Sequence, residues 1–188
     1  MQITPNHSKA AAAIVELIAE KIGTGREIHP ATAISSCARL AGSFMFRSFN
    51  FTMENATPGS AVLSDMANEK GPALMSWLGN TLSNFGVNPD PQRMQSASPQ
   101  QSNLSFVEAL EQLQDEGKKI MEANNLDQEQ MAYSCAMATA FIIKECKNDL
   151  PAETGFQTAV YGFVEGTKTY PPEYGTQSKK KGIFKFWK

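Results

Sequence analysis

Two histidines, three cysteines and 19 carboxylates are the residues from which this chain would have to build metal or nucleophilic chemistry. A metal centre needs several such ligands converging. His7 and His29 have no ligand partner at helical spacing, and neither an HExxH nor a CxxC motif is present. A carboxylate-only centre would need acids turned inward on core helices, whereas here they fall mostly on the outer faces of helical patterns, as solvated charge does. The expected metal and cofactor complement is none. Cys146 stands in Lys144-Glu145-Cys146-Lys147, where neighbouring lysines favour a thiolate. No orienting histidine accompanies it, so a free thiol at a helix end is the plainer reading.

Phosphate-cradling loops are not visible. Gly23-Thr24-Gly25-Arg26 is too short and follows a helix, and Glu69-Lys70-Gly71-Pro72 lacks the glycine spacing, so both read as turns. Gly162 and Gly166 form a GxxxG pair, which in a short helix with a polar end predicts close packing against a neighbouring helix. The remaining candidates are charges and aromatics beside apolar stripes. Arg39, Arg47, Glu69 and Glu165 would have to be paired if buried. Tyr133, Tyr161 and Trp77 could line a pocket or simply pack. Arg39, Glu69, Trp77 and Tyr161 are the expected pocket or interface residues.

The end of the chain is the most unusual stretch. Lys179, Lys180 and Lys181 precede Ile183, Phe184, Phe186 and Trp187, with Lys185 and Lys188 interleaved. Such a stretch can dock on an acidic protein surface, which is the favoured expectation. It can also touch anionic lipid or single-stranded nucleic acid, or serve as a disordered solubilising end. The candidate contacts are Lys179, Lys180, Lys181, Phe184, Phe186 and Trp187.

The elements that position these residues read as helices. Ala11, Ile14, Val15, Ile18 and Ile22 share one face of a helix expected from about Lys9, capped by Ser8, to Ile22. Pro30 opens a second helix to about Phe49, with Ile34, Cys37, Ala38, Ala41, Phe44 and Met45 on one side and Arg39, Ser43 and Arg47 on the other. Thr57-Pro58 is expected to open a third helix, with a kink or restart at Gly71-Pro72 and an apolar continuation through Leu74, Trp77, Leu78 and Leu82.

Residues 87–103, rich in proline, glutamine and serine, are expected to be a flexible loop dividing two helical halves. Ser105 with Glu108 and Asp127 with Gln130 then mark two capping boxes. The first opens the cleanest amphipathic helix, carrying Phe106, Leu110, Leu113 and Gly117, with an Asp115/Lys119 pair on its outer face. The second opens a helix apolar nearly all round, which must be covered by others. Pro151 begins the last helix, with Phe156, Ala159, Val160, Phe163 and Val164 as its stripe.

No segment alternates with β-branched enrichment, so no sheet is expected. The fold class is all-α: a compact bundle of six or seven helices in two groups of three. A single domain over 1–170 is followed by the basic-aromatic tail 171–188. Ser-Cys-Ala occurs in the central helix of each half, at Ser36-Cys37-Ala38 and Ser134-Cys135-Ala136, a weak hint of duplication.

At 188 residues and 41% apolar content the chain can build a core, and a net charge of −2 disfavours general nucleic-acid binding. Charge is uneven. Residues 87–170 hold six basic and twelve acidic groups, whereas residues 171–188 hold five lysines and one glutamate. Three irregularly spaced cysteines argue for reduced thiols, and the start of the chain lacks a signal-peptide pattern. The expected compartment is the cytoplasm, with bacterial origin suggested by small size.

The functional expectation is a non-enzymatic protein–protein interaction module, with a protein partner that includes a homodimer as one form. The alternative is a small-molecule-binding protein or enzyme with a pocket between the two helical halves.

Overall fold

The computed structural model describes residues 3–23, 28–53 and 55–176. Among them are seven helices: α1 Pro5–Ile22, α2 Pro30–Ser48, α3 Asp65–Asn84, α4 Pro91–Ser96, α5 Phe106–Ala123, α6 Gln128–Cys146 and α7 Ala152–Thr167. The all-α bundle is therefore the fold. Its single extended feature among the described residues is an isolated antiparallel bridge between Ala61 and Thr169.

α1 starts a turn earlier than the pattern around Ser8 suggests, because Thr4-Pro5 supplies a better start. Pro5 takes the first helical position, where a missing N–H is harmless. The Nδ1 atom of His7 accepts from the Thr4 N–H at 3.3 Å and from the Thr4 hydroxyl at 2.7 Å. Two donors on Nδ1 place the ring proton on Nε2, which is buried without a partner. α2 uses the mirrored arrangement. His29 is its cap, and its Nδ1 accepts from the Thr32 N–H at 3.3 Å and the Thr32 hydroxyl at 2.8 Å. Both histidines are thus committed to helix starts.

His7 is 1% exposed, and burial lowers its pKa below the ordinary 6.5, against a smaller opposing pull from Asp127. A depressed folded-state pKa means the stabilising contribution is complete above 6.5 and is lost as pH falls through the folded value. His7→Gln keeps a Thr-x-x-Gln capping box and removes the titration. The wild-type melting temperature is expected to drop relative to His7→Gln as pH is lowered from about 7.5 to 5. Parallel pH profiles for the two proteins would sink the assignment.

Thr57-Pro58 does not open a helix. Residues 59–62 run as a ribbon along the end of α7, with Gly59 N–H donating to Tyr170 O at 2.9 Å and Val62 N–H to Lys168 O at 2.7 Å. α3 begins instead at Asp65, where the Ser64 hydroxyl accepts from Ala67 N–H at 3.2 Å. It runs unbroken through Gly71-Pro72. Proline inside a helix costs about 3 kcal/mol, and burial of Leu74, Leu78 and Leu82 further along holds the segment helical regardless. The 87–103 stretch is not structureless: it carries α4, and its backbone is hydrogen-bonded to other elements. Both capping boxes, at Ser105/Glu108 and Asp127/Gln130, are present. The Asp115/Lys119 pair is not. Lys119 binds Glu116 at 2.7 Å, and Asp115 accepts from Gly175 N–H at 2.9 Å.

α2 and α6 form the centre. They cross where the two Ser-Cys-Ala sequences meet, with the Cys37 thiol 3.5 Å from Cys135 O. The expected groups of three do not pack separately. α7 lies chiefly on α2 and α3 chiefly on α6, while α1 covers α6 and α5 touches both α1 and α2. Each half therefore covers the central helix of the other.

The side of α2 bearing Arg39 and Ser43, expected to face outward, is buried under α7. Gly42 and Gly166 make this possible. A Cβ on Gly166 would lie 2.6 Å from Arg39 O and 2.7 Å from Gly42 Cα. The buried face of α7 accordingly runs through Gly155, Thr158, Ala159, Gly162, Phe163 and Gly166, and leaves Val164 exposed.

Candidate functional site

Arg39 is where the close crossing of α2 and α7 meets the 99–105 segment. Its backbone lies under α7, so its long side chain must leave the helix pair edgewise. There the Nε donates to Glu165 Oε2 at 2.6 Å and the Nη1 donates to Leu104 O at 2.6 Å. Charge-assisted bonds of this kind keep a buried guanidinium tolerable. The 99–105 segment is fixed by threonines of both helices. Gln100 N–H donates to Thr158 Oγ1, and Asn103 N–H to Thr32 Oγ1, each at 3.0 Å. Thr32 in turn donates to His29, so the α2 cap and the cleft wall are one hydrogen-bonded chain.

The result is an open cleft of about 520 Å³ lined by Ser35, Arg39, Thr158, Tyr161 and residues 99–105. Arg39 and Glu165 neutralise each other, and the other lining side chains carry no charge. The Tyr161 ring stands at the rim, 57% exposed. Val164 is exposed on the same helix. Leu63, 85% exposed, directly follows the 59–62 ribbon that is hydrogen-bonded to the residues after α7.

A serine–carboxylate contact does occur at the rim, between the Ser105 hydroxyl and Glu108 Oε2 at 2.7 Å. It is the α5 capping box. Hydrogen bonds from the Ser105 N–H and hydroxyl hold Glu108 below the usual carboxylate range, which makes it a poor base. The cleft is equipped to donate and accept hydrogen bonds and to offer one aromatic face.

Of the four expected pocket residues, the structure brings Arg39 and Tyr161 together here. Glu69 and Trp77 lie on α3, outside the cleft. Glu69 is exposed and makes no hydrogen bond or ion pair among the described residues. Trp77 packs on Tyr133 at 4.9 Å between ring centroids, its Nε1 buried without a partner. The expected tail contacts, Lys179, Lys180, Lys181, Phe184, Phe186 and Trp187, lie outside the described residues. The 99–105 wall is the part that sequence patterns missed; its polar residues resembled a linker.

The cysteines are not activated. Burial pushes the Cys37 thiol up to about 12 and raises Cys135 well above its ordinary value. Cys146, whose neighbouring lysines could have favoured a thiolate, is raised by burial and by Asp149 and Glu145, in line with the plainer reading of a free thiol. Lys144 lies over the Phe85 and Phe141 rings and pairs with Glu145 at 3.1 Å. Among the described residues no group of three or more His, Cys, Asp or Glu converges as a metal site, and no helix is long and apolar enough to cross a membrane.

No protein-family model, curated protein or solved structure matches this chain.

Proposed function

We propose that the chain is a non-enzymatic protein-binding module whose contact face is the outer side of α7 with the Arg39 cleft. The observation that carries this reading is the exposure of Tyr161 and Val164 beside a cleft lined by the buried Arg39, which is paired with the partly exposed Glu165. Tyrosine and arginine are enriched among residues that dominate interface energies, and they do so where a neighbouring pocket admits a partner's side chain. A self-neutralised floor favours an uncharged polar group of the partner, such as peptide backbone, over a free ion. The basic tail adds charge-guided encounter with an acidic surface, either a partner's or that of residues 87–170. Free, buried Cys37 and Cys135 fit a reducing compartment, and we place the protein in the cytoplasm.

A photo-crosslinking residue at Tyr161 tests this, with a second one at exposed Asn80 on α3 as control. One discrete adduct, with a partner or with a second copy of the chain, is expected at position 161 only. Val164→Asp should weaken it about tenfold or more, and deletion of residues 178–188 should slow its formation. Equal labelling at both positions, or none, would refute the reading. The second reading, a small polar ligand in the cleft, is favoured by its size, which lies within the range of ligand pockets. It predicts that a saturating metabolite raises the melting temperature and blocks the position-161 adduct.

A further inference from the structure

The last turn of α2 carries a second arginine in a different situation. Arg47 lies eight residues beyond Arg39, about 12 Å along the helix axis. It has no carboxylate in contact among the described residues. Its Nη2 donates to Gln114 Oε1 at 2.9 Å and to Pro172 O at 2.6 Å, and its guanidinium lies 4.0 Å from the centre of the Tyr174 ring. Gln114, itself buried, is held by Glu173 O at 3.0 Å. These neutral oxygens position the cation without neutralising it. Burial lowers its pKa despite the more distant charges of Asp115 and Glu173.

This cation lines an open cavity of about 290 Å³. The walls are aromatic: the rings of Phe46, Phe51, Tyr170 and Tyr174, with Phe46 meeting Phe51 at 5.6 Å and Tyr170 at 6.2 Å between centroids. Two polar atoms just behind these walls, the Tyr174 hydroxyl and Gln128 Oε1, are closed off from solvent and have no hydrogen-bond partner among the described residues. Burial raises the Tyr174 pKa above its ordinary value.

A partly buried cation with no counter-ion among the described residues, set in a cavity with aromatic walls and with unpaired polar atoms just behind them, defines a ligand chemistry. We infer that this cavity is a binding site for a small monocarboxylate with a flat apolar body. The carboxylate sits on Arg47 and the body lies among Phe46, Phe51 and Tyr170. A single arginine with Glu173 on the rim selects one negative charge; a phosphate dianion would need more cationic neighbours. The site is independent of the Arg39 face.

Benzoate is the probe and benzamide, its neutral counterpart, the control. Backbone amide shifts of the full chain should move saturably with benzoate at residues 46–51 and 170–175, with a dissociation constant on the order of 1 mM or tighter. Benzamide should bind at least about tenfold more weakly. Arg47→Gln should abolish the difference between the two probes. Tyr174→Phe, which keeps the ring under the guanidinium, should weaken benzoate alone by about threefold or more. The comparison of the two probes on the wild-type chain decides the matter even if Arg47→Gln does not fold. The inference is overturned by absent or unsaturable shifts, by shifts elsewhere, by equal affinity for both probes, or by binding that appears only after deletion of residues 177–188. The last outcome would assign the cavity to the chain's own end.

Discussion

Gly166→Val is expected to destabilise the protein by about 3 kcal/mol or more, seen as a shift of the denaturation midpoint. A side chain there would meet Arg39 O at 2.6 Å and Gly42 Cα at 2.7 Å. Both are main-chain atoms of a helix and cannot rotate aside. α7 would have to move off α2, opening the contact that buries Phe163 and Ala38 and pulling Glu165 from Arg39. Gly79→Ala is the internal comparison. Its Cβ would find Phe156 at an ordinary 3.9 Å, and helix propensity should make it neutral or stabilising by up to about 1 kcal/mol. If the two substitutions have similar effects, the helices do not cross this closely.

The second large effect concerns the ion pair at the cleft floor. Glu165→Ala leaves the Arg39 guanidinium, whose side chain is 8% exposed, with Leu104 O as its remaining charge-assisted bond among the described residues. The expected loss is about 2–4 kcal/mol. It falls toward the lower figure because Glu165 keeps 25% of its side chain in solvent and is the cheaper of the two ions to bury. Replacing both, as Arg39→Met with Glu165→Met, should recover much of that loss, since no charge is then stranded. A double-mutant cycle read by denaturant unfolding gives the coupling directly. Coupling below about 0.5 kcal/mol would mean the pair behaves like an exposed one.

How much of this is legible in the chain depends on whether the cause is local. α5 and α6 are, because a capping box and an apolar period of three to four residues are both contained within the helix. The start of α1 was open to the same reasoning through Thr4-Pro5, but a histidine at the third helical position is not the usual capping partner. Thr57-Pro58 misleads because its neighbours pair with residues 168–170, far along the chain. Pro72 misleads because apolar burial beyond it outweighs a local break.

The site divides along the same line. Arg39 and Tyr161 are conspicuous beside apolar stripes. The wall they share is made by the main-chain N–H groups of Gln100 and Asn103 bonding to threonine hydroxyls 58 and 71 residues away, and main-chain bonds of that kind leave no periodic trace in the sequence. Arg47 stands out equally in sequence. Its cavity does not, because Gln114 sits next to Leu113 on a helix whose outer face is charged, and nothing nearby marks it as buried.

The exchange of covers between the two halves also bears on how the protein is made. α2 leaves the ribosome with nearly its whole surface suited to the interior, while both of its main neighbours, α6 and α7, are still untranslated. Arg39 and Glu165 are separated by 126 positions. At ordinary elongation rates that is an interval on the order of 10 s, long compared with the collapse of a chain. Through that interval a newborn chain presents an oily helix whose native cover is limited to α1, α3 and then α5, and its two largest partners arrive only at the end of synthesis.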